Sequence, residues 1–101
     1  MTTKQPDDLA NARLFLAEVA GDLDLDAQMI EDAMPYLLGM TKHVAHRAVR
    51  PAAPLAAFLV GYASALAAQD TDGSTLETVR SKIGSVEKAL EQWVEPREGE
   101  K

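Results

Sequence analysis

An all-α fold is predicted by three observations. No stretch alternates apolar and polar residues as a half-buried strand does, β-branched residues are sparse, and apolar residues recur instead at steps of three and four. The expectation is a compact bundle of four to five helices around a central Ala-rich helix at about 54–69. The chain has 101 residues and no cysteine. That length suits a single domain over 1–101, able to bury about 60 to 68% of the surface its unfolded chain exposes. Without cysteine there is no disulfide and no thiolate metal site.

The first helix is expected from about Asp7 to Ala20, with Pro6 as its starting residue and residues 1–6 flexible before it. Leu9, Ala12, Leu16, Val19 and Ala20 share one face, and Gly21 is the expected terminator. Asp24 or Asp26 can cap a second helix containing Met29, Ile30 and Ala33. Pro35 then breaks or restarts the chain into a helix from about Tyr36 to Val49, so that 27–49 is either one kinked helix or two. Pro51 stops that helix, because the residue before a proline avoids the α region, and Pro54 suits the first turn of the next helix. Asp70-Thr-Asp-Gly73 is a turn.

The last helix has the cleanest pattern. Ser74 and Glu77 form a capping-box signature, and Leu76, Val79, Ile83, Val86, Leu90 and Trp93 follow as a heptad seam. The seam suits packing inside the chain, and it is also the face through which a homodimer would form. Glu95-Pro96 ends the helix, leaving 95–101 as a solvated, flexible tail.

Charge is segregated along the chain. Residues 33–69 contain no Asp or Glu, although the chain has sixteen, and with Lys42, Arg47 and Arg50 this stretch carries +3 against −9 for the remainder. A positive island in an acidic protein is where an anion or an acidic partner is expected. The pI near 4.7 argues against nucleic-acid binding, which demands a much larger basic face. Pro51 to Gln69 is nineteen residues without a charge, close to the roughly 20 a bilayer requires. Eight of them are alanine and two are proline, so the segment reads as a buried helix rather than a membrane span. The polar start, Met-Thr-Thr-Lys-Gln-Pro-Asp-Asp, lacks a signal core, which makes a cytoplasmic setting the default expectation.

Within the island, His43 and His46 are three residues apart, as are Arg47 and Arg50, so imidazoles and guanidinia occupy neighbouring faces at the end of a helix. Cations there complement the negative end of the helix dipole, at about 0.3 to 1 kcal/mol each. A sharper reading adds the next helix, whose first turn would present the backbone N–H groups of Leu55, Ala56 and Ala57. With Arg50 folded back over that turn by the Pro51-Ala-Ala-Pro54 elbow, a phosphate or carboxylate would be held bidentately, with His46 and Arg47 as further candidate ligand-binding residues. No metal is expected, since two histidines lack a third ligand in this stretch. No cofactor and no catalytic residue is expected either: Ser64 has no base near it in sequence, and there is no glycine-rich phosphate loop.

The run Val44-Ala-His-Arg-Ala-Val-Arg-Pro-Ala-Ala-Pro-Leu-Ala-Ala-Phe-Leu-Val-Gly61 resembles the central motif of a small actinobacterial family of unknown function. Members of that family occur alone or joined to the nucleotidyltransferase that attaches guanosine monophosphate to molybdopterin. His46, Arg50, Pro51, Pro54, Leu55 and Gly61 match its motif, and His43 departs from it, standing where the family tends to have an acid. The similarity extends more loosely from about Leu9 to Trp93. It implies a non-enzymatic accessory or interaction domain serving molybdenum-cofactor guanylylation, with the nucleotidyltransferase or another acidic protein as partner. The residues themselves also allow the second function, a domain that binds a small phosphate or carboxylate metabolite.

Overall fold

The computed structural model describes residues 7–68 and 75–94, and every regular element among them is helical: α1 (Asp7–Asp22), α2 (Ala27–Arg47), α3 (Ala52–Ala68) and α4 (Thr75–Gln92). The expected flexible ends, 1–6 and 95–101, the turn at 70–73 and the capping residue Ser74 lie outside the described residues. None of the described helices is long and apolar enough to cross a membrane. The chain divides into two compact units, Met1–Met34 and Pro35–Lys101. The division falls inside α2, which is one continuous helix. Pro35 withholds one N–H from its hydrogen-bond ladder without ending it.

In the first unit, α1 does not stop at Gly21. The helix runs on to Asp22, and Asp24 takes the left-handed conformation at φ 61°. The Leu25 N–H donates to Ala20 O at 2.8 Å and the Asp24 N–H to Gly21 O at 3.1 Å, the two bonds of a Schellman stop. Glycine 21 attracts a terminator reading by its identity, yet the residue that needs positive φ lies three positions later. Asp26 then caps α2, its Oδ1 accepting the Gln28 N–H at 2.9 Å. Arg13 Nε lies 3.3 Å from Glu31 Oε1, a half-exposed pair between α1 and α2 that adds little in solvent. Asp24→Gly should therefore raise stability by roughly 0.5 to 1 kcal/mol, the left-handed penalty of an L residue less glycine's extra unfolded-state entropy. A thermal melt would read this as a rise of a few degrees; an unchanged midpoint would contradict the strain assigned to Asp24.

In the second unit, α3 packs along α4. Ala53, Val60 and Ser64 are the buried residues of α3, and Val79, Ile83 and Leu90 those of α4. The seam of the last helix is thus occupied within the chain. The second half of α2 adds the buried Met40 and Val44 and is bridged to α4 by three long side chains. The Arg80 guanidinium lies 4.7 Å from the Tyr36 ring centroid, His43 Nδ1 lies 2.8 Å from Glu87 Oε2, and Arg47 Nη2 donates to Leu90 O at 3.0 Å. Residue numbers rise together along these contacts, so α2 and α4 run parallel and bring their C-terminal ends to the same side.

Two expectations about α3 need correction. The helix starts at Ala52, two residues before Pro54, because alanine favours a helix and a proline in the first turn has no intrahelical N–H bond to lose. It is also not enclosed. Leu55, Phe58, Leu59, Tyr62 and Leu66 are between 48% and 65% exposed. A helix that is apolar all round is ordinarily buried, but within the second unit α3 packs along α4 on one side and leaves these five side chains exposed on the other.

Candidate functional site

At the end of the second unit where α2 and α4 finish and α3 begins, an open apolar groove of about 310 Å³ is lined by residues of all three helices. Val44, Ala48 and Val49 come from α2 and the elbow after it, Ala52 and Ala56 from α3, and Val86, Ala89, Leu90 and Trp93 from the end of α4. Small side chains on α3 leave the space, and Trp93, 48% exposed, forms an aromatic wall. Beside it lies a polar notch of about 240 Å³ lined by His43, Arg47, Glu87, Leu90 and Glu91.

The cations of the island have different tasks here. Arg47 is the last residue of α2, and its guanidinium reaches the carbonyl of Leu90. That carbonyl is among the last four of α4 and also accepts the Trp93 N–H at 3.2 Å, so Arg47 adds a second donor at the helix end. The last turn of α4 has no basic residue of its own, so Arg47 supplies the cation that complements its negative end. His43 donates from Nδ1 to the Glu87 carboxylate, at 2.8 and 3.0 Å. Lys42, His46 and Arg50 have no ion pair or hydrogen bond among the described residues. His46 and Arg50 are exposed, and Arg50 stands in the elbow between the groove residues Val49 and Ala52.

The expected cradle of backbone donors does not assemble. The Ala52 and Ala53 N–H groups donate to Val49 O and Arg50 O, both at 3.0 Å, and Pro54 has none. Because α3 starts at Ala52, Ala56 and Ala57 lie beyond its first turn and their N–H groups belong to the helix ladder. Only Leu55 of the three expected donors remains in the first turn. Ala56 instead contributes a methyl group to the groove. The residues of α4 that complete the groove were legible only as seam positions, since nothing in the sequence states that the end of α4 returns beside the elbow.

Among the described residues no cluster of three or more His, Asp or Glu side chains could hold a metal. The His43–Glu87 pair has no serine or threonine beside it in the notch, so the arrangement presents no nucleophile for that pair to activate. The groove and the elbow beside it present an apolar floor, one indole and exposed cations.

A family model described as a domain of unknown function, DUF6457, matches residues 7–99. The chain belongs to this family. No curated protein and no solved structure shows a match. The DUF6457 match runs from the start of α1 past Trp93, so it takes in the elbow, the groove and all four helices.

Proposed function

We propose that this DUF6457 domain is a non-enzymatic interaction module, and that its docking site is the groove at the end of α2, α3 and α4. The observation that carries this reading is the conjunction of an apolar groove walled by Trp93 with the exposed Arg50 in the adjoining elbow. Tryptophan and arginine dominate the energetics of protein interfaces, and the energy concentrates where an apolar pocket meets a charge. The partner segment that fits has an apolar side chain to enter the groove and acidic residues to meet Arg50, His46 and Lys42. The resemblance of the elbow motif points to the nucleotidyltransferase of molybdenum-cofactor guanylylation as that partner. A small anionic metabolite fits less well, because of its three expected backbone donors only Leu55 lies in the first turn of α3.

The test is copurification of the purified domain with a molybdenum-cofactor guanylyltransferase. Arg50→Ala should weaken the complex roughly tenfold or more, the range for an arginine at an interface centre, with the far-UV circular dichroism unchanged. No complex with the wild-type domain would reject the guanylyltransferase as partner; an intact complex with Arg50→Ala would reject the groove as its site.

A further inference from the structure

We infer that the outward face of α3 is a self-association surface, on which a second copy of this chain docks. Leu55, Leu59, Tyr62 and Leu66 follow one another at steps of four, three and four, with Phe58 beside them, and all five are roughly half to two-thirds exposed. At 100° per residue they lie opposite Ala53, Val60 and Ser64, the residues buried toward α4. The face is therefore separate from the packing against α4, and it borders the docking groove along Ala52 and Ala56. The Phe58 and Tyr62 rings stack on it, 5.9 Å between centroids and 7° from parallel.

Three considerations select a second copy as the occupant. The first is charge: α3 has no charged residue in its seventeen positions. An acidic or basic partner finds nothing to pair with, whereas a face without charge is complementary to itself under a two-fold axis. The second is area. With on the order of 200 Å² for a fully exposed large side chain, the five contribute roughly 500 to 600 Å² per copy. Two copies would bury roughly 1,000 to 1,200 Å², at the lower limit for a specific interface. The third is spacing, because steps of four and three are those of a seam in which side chains of one helix seat between those of another. A lipid surface is disfavoured, since helices that lie in the bilayer interface carry lysine and arginine on their polar side, and α3 has neither.

Sedimentation equilibrium of the full chain provides the test. At about 50 µM the protein should sediment largely as a dimer of twice 10.9 kDa, with the micromolar dissociation constant expected of an interface this small. Leu59→Glu should shift it to monomer, weakening association about a hundredfold, with helix content unchanged because the position is exposed. Tyr62→Lys provides the same reading if the first variant does not fold. Leu14→Glu, at an exposed position of α1, should leave the dimer intact. A wild-type monomer at 50 µM, dissociation by Leu14→Glu, or dimers that survive both α3 substitutions would overturn the inference. Trp93→Ala should not affect the dimer, which separates this outcome from failure of the docking groove.

Discussion

Met40→Ala is expected to destabilise the protein by about 2 to 5 kcal/mol, the range for deleting a fully buried methionine side chain. Met40 is 1% exposed and is the largest completely buried side chain among the described residues. Its place on α2 explains why the cost should fall toward the upper end. Tyr36, Met40, His43 and Arg47 recur at steps of four, three and four, so Met40 sits on the side of α2 that meets α4, between the Tyr36–Arg80 and His43–Glu87 contacts. Those contacts flank Met40 on both sides, so a cavity left by its side chain is bridged and collapses only in part. Small domains have only about 5 to 15 kcal/mol in total, so the variant loses a large share. Urea unfolding should show a lower midpoint with an unchanged slope. Leu38→Ala, at a half-exposed position of the same helix, should cost less than about 1 kcal/mol. A Met40→Ala loss as small as that would mean that α2 closes onto α4 when the side chain is removed.

The helices were legible because local chemistry and tertiary structure agree in them. Asp26 caps α2 as its type and position suggest, and the seam of α4 buries Val79, Ile83 and Leu90 as its spacing demands. The end of α1 was less so. Glycine is the usual left-handed residue, and here an aspartate takes that conformation while Gly21 stays helical. The exposure of α3 was not legible at all, since an apolar helix states that it requires company but not how many neighbours the chain provides. The same holds for the site. The sequence marks His46, Arg47 and Arg50 as one basic cluster, yet the parallel arrangement of α2 and α4 divides it, drawing Arg47 onto Leu90 O and leaving His46 and Arg50 exposed.

That division changes what the acid-free stretch means. Part of it excludes acids because Met40, Val44, Ala53, Val60 and Ser64 are buried, and Arg47 is explained by the negative end of α4, which a sequence pattern cannot place beside it. What structure alone does not explain is an elbow with an exposed arginine next to an open apolar groove. Folding stability gains nothing from leaving Trp93 and Arg50 exposed, and such residues are the ones by which binding surfaces are recognised.

Trp93→Ala is accordingly expected to weaken partner binding by at least about 2 kcal/mol, roughly thirtyfold or more, the loss typical of a central interface tryptophan. Its cost to folding should stay below about 1 kcal/mol, because the residue follows the last turn of α4 and half of its surface is already in water. This contrast between binding and stability distinguishes a docking residue from a core residue, for which both would fall together. Trp93 is also the only tryptophan in the chain, so wild-type emission reports on the groove. Binding of a guanylyltransferase labelled to remove its own tryptophan signal should shift that emission to the blue, as the partner's apolar side chain displaces water from the indole. Arg50→Ala should require a higher partner concentration to reach the same shift, since it removes the charge beside the groove and leaves the apolar contact in place. Binding that saturates with no change in Trp93 emission would locate the interface elsewhere on the domain.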